Sequence, residues 1–170
     1  MKAIAIIIAT LAFASQMSAQ IPYGGPVTPL SPEIINPENG HIYLLLSPGN
    51  WTDSEAAAVA LGGHLATIRN QAEEDWVYRI FWGYAAQPHA LWIGLHAVNQ
   101  PNHFVWASGA RVTYTDWAPQ QPFNQNGLEA YVALIGTWYC LPDTTSDAVG
   151  QPCNGVVEIV RERQHWPDGH

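Results

Sequence analysis

A change of period at Pro88 constrains this chain more than any other feature. Before it stand two helix-forming segments; after it come only strand-length apolar runs divided by turn residues. The Ala-rich stretch Glu55 to Leu61 has high helix propensity, with Thr52 or Asp53 as its cap and Gly62-Gly63 as its stop. His64 to Ile68 reads as extended. Asn70 caps a second helix starting near Gln71, whose early Glu73, Glu74 and Asp75 complement the dipole at a solvated face. Trp76, Ile80 and Phe81 form its buried stripe, with Val77 at the edge. Strand-length runs lie at His41 to Leu46, Leu91 to Leu95, Phe104 to Trp106, Tyr131 to Ile135 and Val156 to Val160. Helices first and strands after predict an α+β fold with small antiparallel sheets.

The ends read differently from the middle. Residues 1–19 place one cation, Lys2, before an apolar run from Ala3 to Ala14, the arrangement of a signal peptide cut after Ala14 or Ala19. Residues 20–39 form a proline-rich leader, 40–162 the folded domain and 163–170 a polar tail. No later segment is long and apolar enough to span a bilayer. The expectation is a secreted protein with no membrane insertion once the signal is removed.

Fourteen acidic residues against six Lys plus Arg give a net charge of -8. A duplex nucleic-acid binder needs cations to displace phosphate counterions, so nucleic acid is excluded as a partner, and an anionic membrane surface with it. In an exported chain Cys140 and Cys153, the two cysteines present, read as one bridge closing a Pro/Gly/Asp-rich loop, worth about 3 kcal/mol by loop-closure arithmetic. His89, His96 and His103 recur every seven residues, but a strand and turns intervene, so the period builds no metal cluster. Neither a nucleophile elbow nor a phosphate-cradling glycine motif is present, and nothing sets two acids across a cleft. The chain reads as a non-enzyme.

One set of motifs is specific. Trp51, Glu55-Ala56, the run Leu61 to Ile68 (LGGHLATI), Glu74 and Trp92 to Leu95 (WIGL) are followed by Phe104, Trp106 and Gly109. Trp117, Pro122, Glu129, Trp138 and Val156-Val157-Glu158 complete the order. Over residues 40 to 162 this resembles the C-type lectin-like domain. The resemblance implies two helices flanking small sheets, with a long loop that leaves the core and returns. It also implies that the family's usual bridge from first helix to last strand is missing, since Ala58 and Val157 stand at its positions, and that Ala130 stands where the second bridge starts. Cys140 and Cys153 would then be a rearranged local bridge. This loss is more in keeping with a bacterial than an animal host.

In sugar-binding members, calcium is held by a Glu-Pro-Asn or Gln-Pro-Asp triplet, a later glutamate, and an Asn-Asp pair after a tryptophan. Here the triplet is Gln121-Pro122-Phe123, Glu129 matches the glutamate, and Tyr139-Cys140 replaces the pair after Trp138. Calcium wants six to eight oxygens. Strict carry-over therefore breaks the site, while a shifted register would draw on Gln121, Asn124 or Asn126, Glu129 and Asp143 or Asp147. The implied ligand surface is Gln121, Phe123, Asn124, Asn126, Glu129 and Tyr139. The expected role is binding an extracellular carbohydrate or glycoconjugate, with calcium dependence in doubt. A calcium-independent protein binder or self-assembling homo-oligomer is the alternative.

Overall fold

The computed structural model describes residues 25–99, 102–123 and 127–161. The expected signal peptide and polar tail lie outside them, as do Asn124 and Asn126. The elements run β1 (Ile34–Ile35), β2 (Ile42–Pro48), α1 (Trp51–Ala60), β3 (His64–Leu65), α2 (Gln71–Phe81), β4 (Ala90–Ala97), β5 (Phe104–Trp106), β6 (Tyr131–Leu134), β7 (Trp138–Leu141) and β8 (Cys153–Ile159).

Two uninterrupted apolar runs, IYLLL in β2 and LWIGL in β4, call for a sheet covered on both faces. That is what forms. Tyr43, Leu45, Leu91, Ile93, Leu95, Val132, Leu134 and Val156 point to one face, beneath Trp76, Val77 and Phe81 of α2. Their sequence neighbours Ala90, Trp92 and Ala133 pack with Trp51 on the other face, and Leu44, Leu46 and Val157 pack with Ala58 of α1. Ala58 and Val157, where the family's first bridge would stand, thus meet as an apolar contact.

The strands join in the order β1-β2-β8-β4-β6-β7, with β3 on β8 and β5 on β4. The expected all-antiparallel pattern needs one correction: β4 and β8 run parallel, with Ala90 opposite Cys153 and Trp92 opposite Gly155. This follows from the double loop. β2 and β8, near the two ends of the domain, pair antiparallel from Ile42 with Ile159 to Pro48 with Asn154, closing the outer loop. Residues 107–130, between β5 and β6, make the inner one. Part of the leader is built in as well: β1 adds an edge to β2, and Pro29 bridges Leu46.

Local signals hold with small shifts. Asn50, not Thr52 or Asp53, caps α1, its side-chain oxygen accepting the Asp53 N–H at 2.7 Å. Gly62, at φ +87°, ends that helix in a conformation a side chain resists. Asn70 caps α2 as expected, accepting the Glu73 N–H at 2.9 Å. The buried stripe of α2 differs: Val77 is fully buried and Ile80 only half, while Glu73 and Glu74 are buried rather than solvated.

Candidate functional site: the loop face around Gln121

The inner loop is held to the sheet through Trp138. Its indole receives Trp106, Tyr114 and Trp117 edge-on, with centroids 5.7–5.8 Å away and rings near perpendicular. Its backbone N–H donates to Asp116 O, and its carbonyl accepts from the Ala118 N–H. Beneath this aromatic group lies Glu74 of α2, buried, with neither carboxyl oxygen in a well-formed hydrogen bond. Burial pushes its carboxyl up to about 7; Tyr114 pulls the other way, the nearby Asp116 carboxylate adds to the rise, and Trp138 opposes it least. Burial, followed by Glu74 itself, raises the Tyr114 phenol.

Trp138 opens β7, which carries Tyr139 and the buried Cys140 beside the inner loop. Gln121 reaches them from the loop. Its single amide oxygen accepts two backbone N–H groups, those of Phe123 and Cys140, both at 3.0 Å. The Gln121-Pro122 peptide is cis. Burial raises the Cys140 thiol to about 12; the Phe123 N–H lowers it and the charge of Glu129 raises it further, which places Glu129 within electrostatic reach of that sulfur. Gln121, Phe123 and Cys140 are therefore brought together, with Tyr139 half-buried beside them on β7. Phe123 and Leu128 are exposed at the rim.

Asp143 is engaged elsewhere. One of its oxygens accepts the Thr52 N–H at 3.2 Å and the other the Thr52 hydroxyl at 2.6 Å, which ties the loop after β7 to the start of α1. Asp147 accepts the N–H groups of Val149 and Gln151 within its own turn. Among the described residues this face does not fit a calcium ion well. The Gln121 and Asp143 oxygens already accept protein donors, and a neutral buried thiol is a poor ligand for a hard cation.

The expected bridge does not form. Cys140 and Cys153 are both free and buried. Cys140 pairs with Val132 across β6–β7, whereas Cys153 sits on β8 beside Ala90, so β6 and β4 lie between them. Three strand spacings amount to about 14 Å, far beyond the reach of a disulfide. The two sulfurs also belong to opposite faces of the sheet. The sequence separation suggested a short loop, but the chain crosses the sheet between them.

A second cluster was not foreseen. His41, Glu73 and Glu158 bring three ligand-type atoms within 4.8 Å of one another and form a candidate metal-coordinating cluster compatible with calcium. The buried Tyr43 hydroxyl donates to Glu73 Oε1 at 2.7 Å, Asn39 Nδ2 reaches the same oxygen, and Glu158 Oε2 accepts the Thr67 N–H. Burial, then Glu158 and Glu73, push the Tyr43 phenol far up, so it stays a donor. The sequence signal was present in Arg69 and Glu73 at i,i+4 spacing, but Glu73 had been read as solvated. Two other histidines are structural: His64 meets Glu55, and the ring of His89 lies between Asn154 and the Tyr84 carbonyl.

A sheet closed by its own ends, with a long inner loop moored on aromatic contacts, is the architecture of one known class of domain. The family described as Lectin C-type domain matches residues 47–154. The chain belongs to that family. Lymphocyte antigen 75 of Mesocricetus auratus is 33% identical over 108 residues, which are 60% of this chain and 6% of that protein. The alpha-N-acetylgalactosamine-specific lectin of Patiria pectinifera is 36% identical over 94 residues, 51% of this chain and 55% of its own. Among solved structures, the C-type lectin CEL-I from Cucumaria echinata superposes with a TM-score of 0.61 at 25% identity, covering 72% of this chain and 91% of that one. The chain thus spans a small part of the large receptor relative and about half of the Patiria lectin. It is a non-enzymatic module, like the lectins and receptors it matches. These relatives are animal proteins and give the bacterial expectation no support. Among the described residues no helix is long and apolar enough to cross a membrane.

Proposed function

We propose that this chain is a secreted module that recognises an extracellular carbohydrate or glycoconjugate through Gln121, Phe123, Asn124, Asn126, Glu129 and Tyr139, without a bound calcium ion. The observation that carries this reading is the double acceptance by Gln121. A side chain, rather than a metal, links the Pro122 turn to β7, so the face has its shape before any ion arrives. Glu129 supplies an acceptor for sugar hydroxyls. Phe123 offers an exposed ring on which the apolar side of a sugar can stack. The names of the relatives, a mannose receptor and an N-acetylgalactosamine lectin among them, support a saccharide as ligand class.

A protein partner or a second copy of the chain is the second reading. It is favoured by the exposed apolar side chains of the same loop, Leu128 at 72% and Phe123 at 49%.

Glycan-array binding by the mature protein, with Glu129→Ala and Phe123→Ala alongside, separates the two. Saccharide binding that both variants lose at unchanged melting temperature supports the first reading. A silent array with concentration-dependent association in sedimentation supports the second. Saccharide binding that neither variant alters contradicts the assignment of this face.

A further inference from the structure

The cluster between β2, α2 and β8 holds two buried carboxylates, Glu73 and Glu158, and Arg69 stands over both. A single nitrogen, Arg69 Nη1, lies 2.8 Å from Glu73 Oε1, 2.7 Å from Glu158 Oε1 and 3.0 Å from the Thr67 carbonyl. Three oxygens from three segments converge on one positive centre. The opposite oxygen of each carboxylate is also taken, by the Arg69 and Thr67 backbone N–H groups. Burial works against the Arg69 charge, yet Glu158, Glu73 and Tyr43 more than offset it and leave the guanidinium held more firmly in its charged form.

We propose that Arg69 is the resident cation of this cluster, and that a divalent metal enters it only in place of the guanidinium. Both carboxylate oxygens an ion would need are ones Nη1 already touches, and the third member of the set, His41 Nδ1, lies 2.5 Å from the same Glu158 oxygen. A calcium ion draws its oxygens to about 2.3–2.6 Å, and two cations sharing one such set repel strongly where little water screens them. With the guanidinium removed, Glu73, Glu158 and the Thr67 carbonyl would present an oxygen-rich site whose two carboxylates have lost their arginine partner, with His41 still beside Glu158. The inference concerns the scaffold and stands apart from the saccharide reading of the Gln121 face.

Terbium, an oxygen-seeking stand-in for calcium, provides the test. Its emission can be sensitised by Tyr43 and Trp76, whose rings lie 5.1 Å apart beside the cluster. The metal-stripped wild type should give no sensitised emission that Glu158→Gln removes. Arg69→Met should gain such emission, bind at least about tenfold more tightly, and lose the gain when Glu158→Gln is added. Wild-type emission abolished by Glu158→Gln would overturn the proposal, as would a natively folded Arg69→Met that gains nothing. Should Arg69→Met fail to fold alone, calcium is added during refolding: recovery supports the proposal and failure to recover overturns it.

Discussion

The amide oxygen of Gln121 accepts the Cys140 backbone N–H at 3.0 Å, so the turn at Pro122 is moored to β7 by a side chain. The same oxygen holds the Phe123 N–H. Gln121→Ala leaves both donors without their acceptor and should cost about 1–3 kcal/mol in urea denaturation. Saccharide binding should fall further than stability does, because the turn that carries Phe123 comes loose.

The two thiols give a second expectation. Burial raises Cys153 to about 12 as it does Cys140, so neither offers a thiolate near neutral pH. The folded protein should resist a thiol-specific reagent and release two reactive thiols on unfolding. Its melting temperature should be the same with and without reductant. A reductant-sensitive melt would mean that the sulfurs are paired.

Glu74 gives the pH dependence. Its carboxyl is raised in the folded state from 4.5 to about 7, chiefly by burial, so between those values the folded protein binds the extra proton. The contribution of this group to stability is complete below the unfolded value and is lost as pH rises through about 7, a change on the order of 3 kcal/mol. Glu74→Gln should therefore flatten the fall in melting temperature between mildly acidic and mildly basic pH, and be the more stable protein above neutrality. Parallel melting curves for the two proteins across that range would contradict the burial argument.

Asp143 acts as a strap across the domain, accepting both the N–H and the hydroxyl of Thr52. Asp143→Ala should cost about 1 kcal/mol, as the loss of a helix-capping carboxylate does. Limited proteolysis should then cut the loop between β7 and β8 faster than in the wild type.

Gly94 lies where β4 crosses the β3 backbone. A Cβ there would stand 2.5 Å from the Leu65 carbonyl oxygen, which cannot move aside as a flexible side-chain end would. Gly94→Ala should destabilise by at least about 2 kcal/mol, measured as a loss of melting temperature.

Much of the fold was legible because it rests on local chemistry. Asn70 and Gly62 mark helix ends by caps that any chain uses, and the runs at β2 and β4 carry enough apolar length to announce strands buried on two faces. β7 was missed because Trp138–Leu141 is short and its role comes from pairing with β6. The disulfide expectation failed for a related reason: thirteen residues of sequence separation said nothing about the two strands, β4 and β6, that come between the sulfurs. Glu73 and Glu74 look solvated at a helix start; Tyr43 and Glu158 from distant strands join the near neighbour Arg69 around Glu73, and Tyr114 and Trp138 lie by Glu74. At the proposed ligand face, the motif positions Gln121, Glu129 and Tyr139 were readable from the family pattern. The use Gln121 makes of its oxygen was not, since it depends on where β7 places the Cys140 N–H.

The most direct test of the account is one glycan array probed twice with the metal-stripped mature protein, once in calcium and once in chelator. The proposed calcium-independent recognition predicts the same saccharide hits at the same strength in both, since the Gln121 oxygen already ties the Pro122 turn to β7. Hits present in calcium and lost in chelator would contradict it.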